Sequence, residues 1–182
     1  SNFYENSLRA INSISFANST ANSDFRLGVT RADENGIVPN SNMDRTNISI
    51  NAGSKFSDQF RVRLGGNYIN SSISGKAVQG GNNPNVLTSL INTLPRTFSM
   101  DNLENYTKED GSQRPIDNFT NNPYWIVNKN VYSEDLERII GHANVIYDPF
   151  DWLNITGRAG TDFYTQQRQQ KTAQGTIGRE TG

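Results

Sequence analysis

The sequence predicts an all-β fold: an antiparallel up-and-down transmembrane β-barrel segment of about six long strands, with one long extracellular loop holding a short helix. Three observations predict it. Apolar and polar residues alternate with a period of two through several stretches, as in strands whose side chains point to opposite faces in turn. The stretches are long. In residues 138–165 each arm runs for roughly 10 to 13 residues, against a mean of about 5–6 in soluble proteins. That is the length a tilted strand needs to cross a bilayer. Finally, the connections alternate between short and long, the layout of outer-membrane barrels, where short turns are periplasmic and long loops extracellular.

Taken in order, the first strand is expected over residues 8–17, with Leu8, Ala10, Ile14 and Phe16 on one face and Asn12 interrupting. The second, 23–32, sets Phe25, Leu27 and Val29 against Asp24, Arg26, Gly28 and Thr30. Residues 32–42 carry the turn chemistry Asn35-Gly36 and Pro39-Asn40. The third strand, 44–56, opposes Ile48, Ile50, Ala52 and Phe56 to Asn47, Ser49, Asn51 and Lys55. After a short turn at 57–59, the fourth, 60–70, opposes Phe60, Val62, Leu64, Gly66 and Tyr68 to Arg61, Arg63, Gly65 and Asn67.

The pattern then stops for residues 71–134, the predicted extracellular excursion. Val86, Leu90, Ile91 and Leu94 at helical spacing predict a short helix over 85–94, ended by Pro95. Excursions this long are uncommon in compact domains and are usually functional or disordered. The fifth and sixth strands, 136–147 and 152–165, are joined by a turn at 148–151. Ile139, Gly141, Ala143, Val145 and Tyr147 share a face, as do Leu153, Ile155, Gly157, Ala159, Thr161 and Phe163. Aromatics gather at the arm ends: Tyr147, Phe150 and Trp152 at the turn, Phe163 and Tyr164 at the far end. Such girdles mark the membrane–water interfaces of barrels. From Gln166 onward the chain reads as polar loop.

Composition is consistent with this. Hydrophobic residues make up 34% and charged residues 19% of 182 residues, and mean hydropathy is −0.68. A sheet wetted on one face needs apolar residues on the other only. The net charge of −1 gives no argument for nucleic acid. Cysteine is absent, which excludes disulfides and thiolate metal sites. No run of 18 apolar residues exists, so no transmembrane helix is expected. The chain opens almost directly into strand pattern and ends in polar loop, which reads as a piece of a longer polypeptide rather than a complete small domain.

Catalytic chemistry finds little support. His142 is the sole histidine, so a His-centred triad or multi-His metal site would need another chain. Adjacent carboxylates at Glu109/Asp110 and Glu134/Asp135 diverge in extended chain and read as solvated loop charge. Neither Asp33-Glu34-Asn35 nor Asp110-Gly111-Ser112 fits a calcium loop of the twelve-residue kind. The chain is therefore read as a non-enzyme with no cofactor and no metal. Tyr124 and Trp125 are the best candidates for a surface contact, because aromatics stack on sugars and anchor interfaces; packing against the barrel rim is the competing role.

Four stretches resemble the SusC/RagA family of TonB-dependent outer-membrane transporters: FRLGVTRADENGIVPNSNMDRTNISINAGSKFSDQFRV, NNPNVLTSLINTLPRTFSMDNL, NPYWIVNKN and RIIGHANVIYDPFDWLNITGRAGTDFYT. They cover most of residues 24–165 in family order. The family's plug domain, TonB-contacting segment and barrel-closing strand have no counterpart here. The resemblance implies about six strands of the roughly 22 such a barrel holds. It also implies import of oligomeric nutrients, glycan ahead of peptide, with a SusD-like lipoprotein as partner. The TonB complex would act through the plug, with outer-membrane lipid around the barrel and an oligosaccharide or oligopeptide as ligand. Lumen candidates on the polar faces are Arg61, Arg63, Asn67, His142, Asn144, Arg158 and Asp162; loop candidates are Tyr124 and Trp125. Two rival readings remain: a non-transporting scaffold of the same family within a larger outer-membrane complex, and a soluble β-sandwich binding module. Alternation alone permits the latter, since soluble sheets also have one apolar face.

Overall fold

The computed structural model describes residues 3–76, 87, 91, 94–95 and 97–178. Six strands, β1 (Leu8–Ser19), β2 (Ser23–Asn35), β3 (Asn42–Lys55), β4 (Phe60–Ser74), β5 (Val131–Phe150) and β6 (Leu153–Lys171), pair in sequence order. They form one antiparallel up-and-down sheet. The sheet is open, with β1 and β6 as its edges. Helix is scarce among the described residues: a 3-10 turn at Met100–Leu103 and one α-helix, α1 (Pro123–Lys129). Of the helix expected over 85–94, Leu87 and Ile91 are helical and Leu94 lies in a bend. The remaining seven positions, Val86 and Leu90 among them, lie outside the described residues.

Three hairpin turns close one end of the sheet. At the first, Thr20 donates its N–H to Ser23 O (2.7 Å) and accepts the Ser23 N–H on its hydroxyl (3.0 Å). At the second, Phe56 N–H bonds Phe60 O (2.9 Å). The third differs from the expected four-residue turn at 148–151. Pro149 has no N–H to give the ladder, so the register shifts between Tyr147 and Phe150, and the chain reverses at Asp151-Trp152. At the opposite end, residues 36–41 join β2 to β3. Asn40 adopts a left-handed φ of 64° there, which its short amide side chain tolerates.

Most strands run further than the alternation implied. β2 continues to Asn35, β4 to Ser74 and β6 to Lys171, and β5 starts at Val131. The tail from Gln166 is therefore strand as far as Lys171 and irregular over 172–178, and the long excursion spans 75–130. The reason lies in which residues carry the signal. Ladder bonds are made by backbone and continue wherever partners are aligned. Apolar alternation marks only the part of the ladder with one apolar face.

The register shows where that part is. Residues opposite one another share a face, and one face carries an apolar band. Its upper row is Ile14, Val29, Ile48, Tyr68, Ile139 and Phe163. It descends through Phe16, Leu27 and Ile50, then Phe25 and Leu64, then Val62 and Val145, to Phe60, Tyr147 and Ile155. The band spans residues 60–68 of β4, eight residue steps, about 27 Å along the strands at ~3.4 Å per residue. Immediately above it the same face turns polar: Asn12, Arg31, Thr46, Asn70, Glu137 and Thr165 form the next row.

No second layer covers this band among the described residues. Ile14 is 76% exposed, Phe16 63%, Leu64 52% and Phe163 67%. The sheet contributes only Ala32 and Ile69 to the buried hydrophobics, both on the opposite face. The other five, Phe3, Leu87, Leu103, Trp125 and Ile126, lie outside the strands.

Candidate functional site

The face opposite the apolar band carries polar residues from all six strands. Arg63, Asn144 and Arg158 stand directly opposite one another on β4, β5 and β6. One row higher, His142 lies between Gly65 and Gly160. Its imidazole rests over Gly65: a Cβ added there would fall 2.1 Å from the ring. Only glycine leaves that space. One row higher again, Asn67 and Asp162 flank Ile140. All seven lumen candidates, Arg61 included, thus share one face.

Partners divide them into two groups. Arg61 is ion-paired with Asp148, and Arg138 grips Asp162 with two guanidinium bonds, the Nε one at 2.8 Å. These charges are neutralised across strands. Arg63 and Arg158 have no ion-pair partner among the described residues. Asn67 Oδ1 is buried without a hydrogen-bond donor, and so is Oδ1 of Asn47, on the adjacent strand of this face. Asp148, Arg138 and Asn47 are the residues that sequence reasoning did not select. Asn47 and Arg138 were within its reach, since the first sits in phase with Ser49 and Asn51 and the second with His142 and Asn144; the ion pairs depend on cross-strand register.

The loop candidates behave differently from expectation. Trp125 is 3% exposed, so it presents no ring to a ligand. Its Nε1 donates to Thr176 Oγ1 (3.0 Å), and its ring meets Tyr106 edge-on at 6.4 Å. Tyr124 is half-buried, with Phe3 edge-on against it at 5.0 Å. Both rings serve packing. They sit on α1, whose start is set by Asn122: its Oδ1 accepts the Tyr124 N–H (2.9 Å) and Pro123 follows at the first turn.

Around α1 a buried amide network ties the excursion to the segment after β6. Gln113 Nε2 donates to Asn121 Oδ1 (2.9 Å) and to Gly175 O (2.8 Å). Asn121 exchanges two bonds with the Ile177 backbone, at 2.9 and 2.8 Å. Asn122 Nδ2 donates to Leu103 O (3.0 Å) and Arg114 O (3.1 Å). Asn130 Oδ1 accepts the Ala173 N–H (2.9 Å). Most of these amide bonds go to backbone groups that irregular chain leaves unpaired, and they tie residues 103–130 to the segment after β6.

Of the acid sites, Glu134 departs from the sequence reading and Asp110, exposed in a turn, keeps to it. Glu134 is not solvated loop charge. It stands in β5, its side chain 13% exposed, and accepts from Tyr132 Oη (3.0 Å) and Gln166 Nε2 (2.6 Å), with Arg168 Nε at 3.3 Å. Asp110 accepts the Ser112 N–H (2.9 Å); the Ser112 side chain first, and this N–H second, hold its pKa below the ordinary carboxylate range.

Fold and site together define an open, all-β, up-and-down sheet with one apolar and one polar face. No family model matches the chain, and no curated protein matches it at a significant level.

Proposed function

We propose that this chain is part of the barrel wall of a SusC-like, TonB-dependent outer-membrane importer of oligomeric nutrients, glycan ahead of peptide. One observation carries the reading: a single sheet with an uncovered apolar band on one face and arginine, asparagine and aspartate on the other. Tilted by roughly 40°, the band stands about 21 Å tall, close to the ~25 Å apolar belt of such barrels. Aromatics rim it as they do at membrane interfaces: Tyr68 and Phe163 above, Phe60, Tyr147, Phe150 and Trp152 below. An uncovered band of this size is otherwise a liability in water. A soluble sandwich would need a second sheet, and the described residues form one.

In this reading Ile48, Ile50, Val62, Leu64, Val145, Leu153 and Ile155 face lipid. The polar face lines a wet lumen, where Arg63, Asn67, His142, Asn144 and Arg158 meet passing ligand. Polar contacts spread over a wall hold a ligand reversibly, which passage requires. The amide-pinned excursion stands at the extracellular mouth, where a SusD-like lipoprotein would sit. Deleting the gene should abolish growth on one oligomeric substrate and leave growth on its monomer intact. Disturbed outer-membrane assembly on every carbon source would replace this reading with the scaffold.

A further inference from the structure

The polar face over β1, β2 and β3 holds a hollow of about 370 Å³ that none of the lumen candidates lines. This is the lower part of the size range of small-molecule sites, ~300–1,000 Å³. Its floor is Gly28, which has no side chain to fill the space; a Cβ there would approach Ser49 Oγ to 2.9 Å. Around the floor stand the hydroxyls of Ser13, Ser15, Thr30 and Ser49, the Asn51 amide and the Arg26 guanidinium. Register explains the grouping: Ser15, Gly28 and Ser49 form one row, Arg26 and Asn51 the row beside it.

The hydrogen-bonding state of these groups points to a ligand. Ser13 and Thr30 share one bond at 3.0 Å. Arg26, Asn51, Ser15 and Ser49 make no side-chain hydrogen bond among the described residues, and Arg26 has no ion pair there. Asp24, two residues away on the same face, lies over Gly53 rather than against Arg26. Arg61 and Arg138 on this face each carry a cross-strand carboxylate, whereas Arg26, like Arg63 and Arg158, carries none among the described residues. A guanidinium left without a carboxylate, in a hollow lined by hydroxyls and an amide, matches a ligand bearing one carboxylate and several hydroxyls. The one apolar residue along the hollow, Ile14, stands by register on the opposite face, so the side chains that face into it are polar.

We infer that the hollow over Gly28 is a subsite for an acidic sugar, Arg26 receiving its carboxylate and Thr30, Ser49 and Asn51 its hydroxyls. This rests on the importer reading and narrows its substrate to carboxylate-bearing oligosaccharides. The test is calorimetric titration of the full-length protein, purified in detergent, with trigalacturonic acid and with its methyl ester. The wild type should bind the acid roughly tenfold or more tightly, as a charge-assisted bond implies. Arg26→Gln should bind the acid and the ester alike. Gly28→Val, which fills the floor, should lose most affinity for both. Heat-modifiable electrophoretic migration verifies folding of each variant.

Equal wild-type affinity for acid and ester, no binding of either, or a preference that survives Arg26→Gln would each overturn the inference. Such a result beside a deletion strain that cannot use an oligomer would remove the acidic subsite and leave the importer standing. If Arg26 instead pairs with an acidic segment elsewhere in the protein, Arg26→Gln lowers the unfolding temperature and leaves the acid preference unchanged, which also overturns it.

Discussion

At the scale of single residues, the two faces make opposite demands. Leu64 belongs to the exposed apolar band and Asn67 to the polar face, three positions along the same strand. An arginine near the bilayer midplane on a lipid-facing site costs about 2–4 kcal/mol. If the apolar band faces lipid as proposed, Leu64→Arg should destabilise the fold by that order, and Asn67→Arg by clearly less, in urea unfolding from lipid vesicles. Equal losses would count against the assignment of faces. A loop carboxylate gives a second expectation. Asp117 accepts the Phe119 N–H (2.8 Å) and the Thr120 hydroxyl (3.1 Å), which hold its pKa below the ordinary value. A depressed pKa means the contact stabilises fully above the unfolded carboxylate value, about 3.9. It is lost as pH falls below that value toward the folded one. Amide exchange at Phe119 should thus quicken as pH falls below about 4, after correction for intrinsic rates, and Asp117→Asn should remove the step.

At the scale of elements, β5 and β6 are stiffened beyond the apolar band by charge and hydrogen bonding rather than burial. Glu134 links Tyr132, Gln166 and Arg168 across the two strands. The excursion depends on amides in the same way. Asn122 caps α1 and satisfies two carbonyls, so Asn122→Ala leaves Leu103 O and Arg114 O without their donor. The cost should be about 1–3 kcal/mol, confined to the loop. Limited proteolysis should cut within 98–130 many times faster in the variant. If the sheet belongs to a barrel as proposed, migration in unheated gels should not change. Trp125→Phe tests the same clasp more gently, because it keeps the ring and removes only the bond to Thr176.

At the scale of the whole molecule, strand order and turn lengths fix two ends. Residues 20–22, 56–59 and 151–152 lie at one end; the connection 36–41, the described residues 75–76 and 130 that flank the excursion, and the start of the segment after β6 lie at the other. If the first end is periplasmic, a cysteine at Gly111 should react with an impermeant maleimide on intact cells, whereas one at Asp58 should react only after lysis. Labelling at Asp58 alone would invert the orientation. Both positions are suitable: Asp58 is 96% exposed, and nothing lies within 4 Å of a Cβ added at Gly111.

What the sequence determined by itself was the number of strands, their order and the face each residue takes. A period of two is local: Leu64 and Asn67 fall on opposite faces whatever the rest of the chain does. The gathering of Arg63, His142, Asn144 and Arg158 on one face was legible for the same reason. Tertiary structure decided what depends on partners distant in sequence. The ladder runs beyond the apolar pattern because backbone bonds need aligned strands, not apolar side chains. Arg61 and Arg138 are neutralised because the register sets them beside Asp148 and Asp162, which alternation does not encode. Trp125 is buried because Thr176, 51 residues away, returns to meet it. The hollow over Gly28 arises because three strands bring small residues side by side, a fact of register that no single strand contains.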